Sequence, residues 1–184
     1  MDQYGGRGGP GPWMLLCYRV PREPSAPRIA IWRKLKRLGV AQLGDGLVGL
    51  PADARTQEQL EWVAEEVTEA GGSAGVWLAR PASLAQEREL AAAMAAARAA
   101  EYAAVAAQAA AARDAGEAAR AAALRRLRAE LRRITRRDYF PPAEREQARA
   151  AVEALAGPDD IGGDAVPGRR ATVAARSDGA GEQR

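Results

Sequence analysis

An eight-residue apolar run near the amino terminus constrains the fold of this chain more than any other feature. It reads WMLLCYRV, from Trp13 to Val20, and a proline stands on either side of it. Its apolar side chains fall on both alternating faces and its length is that of a strand, so it predicts a central strand. A central strand needs neighbouring strands on both sides and a helical layer that covers the sheet.

The segment after this run predicts a first helix, which carries one apolar and one basic face. Ile31 and Leu35 recur at helical spacing, Ser25 is a candidate capping residue, and Gly39 is the predicted end. Trp32 lies at the edge of the apolar stripe. The basic side chains of this helix are Arg33, Lys34, Lys36 and Arg37.

A hairpin, a second helix and a fourth strand are predicted next. Gly44-Asp45-Gly46 is a turn sequence that predicts a short hairpin over residues 40–51. Thr56 and Gln59 resemble a capping box at the start of a second helix. Alternation of small and large apolar residues predicts a strand that ends at Pro81.

The order β-α-β-β-α-β predicts an α+β fold, with a ferredoxin-like module over residues 13–81. Both helices would lie on one face of a four-stranded antiparallel sheet. The other face would carry apolar groups from Trp13 or Met14 and from Trp77. Either a dimer partner or the later helices could pack on it.

Residues 82–156 predict a helical arm. Alanine dominates its first half, which favours either one long helix or a helical hairpin with a break at Asp114-Ala115-Gly116. Residues 124–137 then combine an aliphatic stripe with seven arginines on the remaining circumference. The stripe consists of Leu124, Leu127, Leu131 and Ile134. The arginines are Arg125, Arg126, Arg128, Arg132, Arg133, Arg136 and Arg137. A further helix is expected over residues 143–156.

The composition disfavours most kinds of enzyme. Histidine is absent, which removes the commonest general base near neutral pH and the commonest zinc ligand. The carboxylates and the single Cys17 form no catalytic or metal-binding pattern, so we expect no enzymatic activity, no metal and no cofactor. Cys17 lies within an apolar strand and is predicted to be an inert core thiol.

Two further expectations concern the tryptophans and the ends of the chain. The tryptophans are predicted to serve packing rather than base stacking, and they are Trp13, Trp32, Trp62 and Trp77. Residues 1–12 and 157–184 are polar and glycine-rich, and we expect them to be disordered. No apolar run predicts a signal peptide or a membrane span, so we expect a cytoplasmic protein.

An ordered set of short motifs over residues 13–156 resembles the N-terminal domain of the chromate-resistance regulatory protein ChrB. These motifs are Tyr18-Arg19-Val20-Pro21, Pro24-Ser25, the stretch Arg28 to Trp32, Lys36-Arg37-Leu38-Gly39, Asp45 to Pro51, Glu58 to Gly71, and Leu124 to Pro141. The resemblance implies a cytoplasmic regulator that binds promoter DNA and releases it on exposure to chromate. Longer family members carry a further C-terminal domain. If sensing of the oxyanion depends on that domain, this chain would sense through its own arginines or work with a second polypeptide.

A weaker likeness connects the module to the ferredoxin-like domains of CRISPR-associated integration proteins and of phenylacetate-pathway repressors. In the nuclease-like relatives an aspartate follows the aromatic residue of the first strand. Arg19 stands at that place here, and the carboxylate that a metal-dependent nuclease needs is therefore missing. We expect no phosphodiester cleavage.

The arginine-rich surfaces of the first helix and of residues 124–137 are the candidate nucleic-acid-binding sites. Arginine forks match phosphate geometry, and several of them on one helix predict salt-dependent binding of DNA. Arg19 and Arg28 are further candidates for anion binding, with chromate or a related oxyanion as the effector. The alternative is a non-enzymatic dimerisation or protein-interaction module without direct DNA contact. A homodimer is expected under either hypothesis.

Overall fold

The computed structural model describes residues 10–156, and this part of the chain folds into a four-stranded sheet and five helices. The elements are β1 (Trp13–Arg19), α1 (Ser25–Leu38), β2 (Ala41–Gly44), β3 (Leu47–Pro51), α2 (Ala54–Glu69), β4 (Ser73–Ala79), α3 (Leu84–Ala111), α4 (Glu117–Thr135) and α5 (Glu144–Glu153). The predicted mixture of helices with a four-stranded antiparallel sheet is confirmed. Of the residues predicted to be disordered, 1–9 and 157–184 lie outside the described residues. Residues 10–12 are described, and the Gly11 amide donates to Glu87 Oε1 at 2.8 Å.

Strand β1 is central, as its apolar run predicts. The strands follow the order β2-β3-β1-β4, and every neighbouring pair is antiparallel. Leu16 of β1 pairs with Val48 of β3 and with Val76 of β4. Directly paired residues share a face of the sheet, and on this face α1 and α2 complete the core. Their buried side chains are Ile31, Leu35, Leu60, Val63 and Val67.

Helix α1 begins and ends for different reasons. Pro24 precedes it in an extended conformation, and in the described part of the chain no side chain caps this end. The predicted cap at Ser25 is wrong, because Ser25 is already the first helical residue. Gly39 ends the helix as predicted, with a φ of 75°, a left-handed conformation that favours glycine. A Cβ at this position would lie 3.0 Å from the Cβ of Arg137, so the later helices also pack closely here.

The capping box of α2 lies one turn earlier than the sequence suggested. The Thr56 amide donates to Asp53 Oδ1 at 2.6 Å, and the Thr56 hydroxyl accepts from the Asp53 amide at 2.9 Å. This hydroxyl, on a fully buried side chain, also donates to the Pro51 carbonyl at 2.7 Å. The predicted box of Thr56 and Gln59 is therefore wrong, since Thr56 is the distal member of the pair.

The second face of the sheet is only partly covered by the arm. Trp13 is 2% exposed and stacks on Phe140, with 6.1 Å between ring centroids. Leu90 of α3 lines a cavity of about 290 Å³ beside Trp13. Cys17 and Trp77 lie further along the same face and are exposed. The prediction of a buried, inert thiol is therefore wrong, because the cover stops short of Cys17.

The tryptophans divide into one core residue and three surface residues. Trp32, Trp62 and Trp77 are 52%, 54% and 64% exposed, respectively. Core packing is confirmed for Trp13, and packing of these three at an interface stays a prediction. Trp32 instead lies beneath the Lys36 ammonium, which is 4.9 Å from its ring centroid; such cation–π contacts are common at surfaces.

Helices α3, α4 and α5 form a second core, in which the aliphatic stripe of α4 finds its packing partners. The large buried side chains of this core are Tyr102, Val105, Leu124, Leu127, Ile134, Val152 and Leu155. Of the two predicted forms of the arm, the structure has the hairpin, because α3 ends at Ala111 and α4 begins at Glu117. Residues 112–116 therefore reverse the chain at the predicted break.

Helix α3 is long and apolar enough to cross a membrane when only its length and composition are considered. Its hydropathy comes mostly from alanine, and 22% of its apolar 18-residue stretch is buried in the structure. The helix also carries an ion pair between Arg98 and Glu101, at 3.2 Å. Tyr102 and Val105 of this helix lie in the core of the arm.

Candidate nucleic-acid interface

The two sides of α4 differ sharply in chemistry. One side buries the aliphatic stripe against α3 and α5, and the other side faces solvent. The exposed arginines of this outer side are Arg125, Arg126, Arg128, Arg132 and Arg133, and Arg136 follows at the end of the helix. Six of the seven predicted arginines are therefore placed where a large polyanion can reach them.

Three of these arginines form one edge of an open groove. Arg128, Arg132 and Arg136 recur at every fourth residue, so they lie above one another on α4. Together with Arg149 of α5 they line a groove of about 380 Å³, which we name the α4–α5 groove. Within residues 10–156, none of the three α4 arginines has a carboxylate within ion-pair distance. Their charges are thus free for an external anion.

Arg149 is a member of this groove that sequence reasoning missed. It lies among acidic residues of α5 and pairs with Glu146 at 3.4 Å. The sequence around it resembles an ordinary solvated helix face. Only the packing of α5 against α4 brings Arg149 beside Arg132. Among the described residues, Glu153 is the one carboxylate that lines the groove.

Arg137 differs from the other predicted arginines because it points into the structure. Its Nη2 donates to Glu101 Oε2 at 2.8 Å, and its Nη1 donates to the Lys36 carbonyl at 3.4 Å. Burial lowers the pKa of the Arg137 guanidinium, and the negative charge of Glu101 opposes that shift. Arg137 therefore holds α4 against α1 and α3, and we assign it a positioning role.

The basic residues of α1 are also divided between paired and open ones. Lys34 of α1 forms an ion pair with Glu66 of α2. On α4, Arg133 is paired in the same way, with Glu130. Arg33 and Arg37 are exposed, and in the described part of the chain neither forms an ion pair. Arg33 and Arg37 are therefore the members of the α1 set most open to an external anion.

The carboxyl-terminal ends of α1 and α4 meet in the structure. Arg137 reaches the Lys36 carbonyl, although the two residues are 101 positions apart in the chain. Gly39 completes this contact, since a larger residue would press on Arg137 and on the guanidinium of Arg98. The two predicted basic surfaces consequently lie on neighbouring elements instead of at separate places on the molecule.

Comparison with known proteins assigns a family to the part of the chain from α1 to α3. Residues 28–115 match the family model described as Protein ChrB, N-terminal. The chain carries a ChrB N-terminal domain. A search of the curated proteins found no significant match, and neither did a search of the solved structures.

The matched part of the ChrB N-terminal domain extends from α1 to the turn before α4. It includes α1 with its basic face and the long helix α3 that carries Glu101. The arginine-rich α4 follows the matched part and packs on it through Arg137.

At the other end of α1, the structure brings together Arg19, which precedes the matched residues, and Arg28, which is the first of them. Both line an open concavity of about 620 Å³, and Arg22, which sequence reasoning did not single out, joins them. Helix α1 has 14 residues and therefore spans about 21 Å, so this concavity is distant from Arg137. Within residues 10–156, no group of three or more histidine, cysteine, aspartate or glutamate side chains could hold a metal ion.

Proposed function

We propose that this chain is a cytoplasmic regulator of chromate-resistance genes that binds promoter DNA and responds to chromate. The ChrB N-terminal domain supports the family assignment. On this proposal the protein acts by binding DNA and has no enzymatic activity. Its DNA-binding surface would combine the α4–α5 groove with the exposed arginines of α1.

The observation that carries this proposal is the unpaired arginine edge of the α4–α5 groove. Successive members of the edge are four residues apart on a helix, which is a rise of about 6 Å per step. A guanidinium can bind a phosphate through two parallel hydrogen bonds. Arg128, Arg132 and Arg136 could therefore bind several backbone phosphates at once, with Arg149 on the opposite wall.

We also infer that the module has a ferredoxin-like arrangement and that the chain forms a homodimer. The ferredoxin-like arrangement is supported by the order of elements along the chain and by the antiparallel order β2-β3-β1-β4. The homodimer is supported by β4, an edge strand on which Trp77 and Leu78 are 64% and 65% exposed. Exposed apolar edge strands favour pairing with another chain.

Binding to DNA predicts a strong dependence on salt. Each phosphate contact contributes about −0.9 to the slope of log affinity against log salt concentration. We expect a slope of about −4 to −6 for a labelled duplex from the chain's own upstream region, measured by fluorescence anisotropy between about 50 and 200 mM salt. Absence of binding at the lowest salt would contradict the DNA role and favour an interaction module without DNA contact.

A further inference from the structure

A second arginine cluster surrounds the start of α1, far from the α4–α5 groove. Arg19 ends β1, Arg22 lies in the loop that follows, and Arg28 lies near the start of α1. All three line the concavity of about 620 Å³, which we name the α1 concavity. The backbone of Gly71 and Gly72 forms part of its wall.

Backbone packing keeps this wall in place. Gly71 has a φ of 76°, and the turn it forms leads from α2 into β4. A Cβ on Gly72 would collide with the carbonyl oxygen of Arg19 and would lie 2.8 Å from Val67. The turn therefore packs directly on the end of β1, so that the backbone of Arg19 is held at the rim of the concavity.

The charges around the α1 concavity are unbalanced within the described residues. No carboxylate of residues 10–156 is within ion-pair distance of Arg19, Arg22 or Arg28. Glu23 lines an adjoining concavity that Arg22 and Arg28 share. Among the described residues, no side chain caps the amino terminus of α1. This end of the helix adds a partial positive charge.

We propose that the α1 concavity binds a doubly charged tetrahedral oxyanion through Arg19, Arg22 and Arg28. Guanidinium groups bind such anions with paired, charge-assisted hydrogen bonds, and the volume leaves room for water around the anion. The inference rests on the proposed function and deepens it, because it assigns the effector a site at the end of α1 opposite to Arg37. The same chemistry is supplied by a free inorganic oxyanion or by a phosphate group of nucleic acid.

Calorimetric titration of the full chain, without DNA and at constant ionic strength, tests the site. Chromate, sulfate and phosphate are the probes, and saturable binding of at least one of them is expected. The variant R19A/R28A should bind it at least about tenfold more weakly, because each arginine would contribute a charged hydrogen bond. R113A, which removes an exposed arginine from the turn between α3 and α4, is the control and should bind as the parent chain does.

The variants also distinguish the two sources of the anion. If the site takes a free oxyanion, R19A/R28A loses that binding while R128A/R132A/R136A retains it. If the site takes a nucleic-acid phosphate, R19A/R28A weakens DNA binding at least about tenfold although the parent chain binds none of the three inorganic anions. The inference is overturned if R19A/R28A changes neither measurement, or if anion binding disappears only in the α4 variant. Failure of the parent chain to bind DNA would contradict the proposed function and would leave the calorimetric result intact. Circular dichroism establishes that each variant folds; if R19A/R28A does not, the single variant R28Q replaces it in both measurements.

Discussion

The triple variant R128A/R132A/R136A should bind a promoter duplex at least about a hundredfold more weakly than the parent chain. These three arginines are exposed, and no carboxylate of the described residues neutralises them. Loss of three phosphate contacts should also make the slope of log affinity against log salt concentration shallower by about 2.7. Fluorescence anisotropy at several salt concentrations measures both effects.

A control of equal charge separates contact from net charge. The variant R88A/R113A/R120A removes three arginines that lie outside the α4–α5 groove. We expect this variant to keep the salt slope of the parent chain and to lose much less affinity. If the two triple variants weaken binding equally, then the groove has no special role and the effect reflects overall charge.

The variant D138A should lower the free energy of unfolding by about 3 kcal/mol. The Asp138 side chain is fully buried, and its Oδ2 accepts a hydrogen bond from the Tyr102 hydroxyl at 2.9 Å. Arg145 lies 3.5 Å from the same oxygen. Burial raises the pKa of Tyr102, so its hydroxyl stays protonated and can donate. Removing the carboxylate takes from the Tyr102 hydroxyl its shorter hydrogen bond and from the mostly buried Arg145 its closer carboxylate.

Urea denaturation of the full chain measures this effect. D138N keeps an acceptor for Tyr102 but loses the charge that faces Arg145, so its stability should lie between those of the parent and of D138A. D114A removes an exposed aspartate from the turn between α3 and α4 and should change stability by less than about 0.5 kcal/mol. If D138A is as stable as D114A, then this network does not hold the arm together.

The elements that could be predicted from the sequence are those with local causes. Residues 13–20 carry apolar side chains on both faces of a strand and therefore predict a central strand. Gly39 ends α1 because it can adopt a positive φ. The hairpin turn at Asp45-Gly46 has the same local origin. The sequence alone does not locate the cap of α2, because Asp53 and Thr56 are both common capping residues and only the burial of Thr56 distinguishes them.

The properties that could not be predicted depend on contacts between distant segments. Cys17 is exposed because the cover supplied by α3 and Phe140 does not extend to it. Arg137 resembles its arginine neighbours in sequence, yet its partner Glu101 is 36 positions away. Arg149 joins the candidate site only through the packing of α5 on α4. The sequence therefore predicts which residues are basic, and the tertiary structure decides which of them are open to a ligand.

DNA binding under the control of chromate is the central proposal, and a competition measurement tests it most directly. The full chain is bound to a labelled duplex from its own upstream region at low salt, and chromate is then added. We expect chromate to dissociate the complex at a concentration where sodium chloride of the same ionic strength leaves it intact. A complex that chromate does not weaken beyond the effect of chloride, or the absence of any complex at low salt, would contradict the proposal.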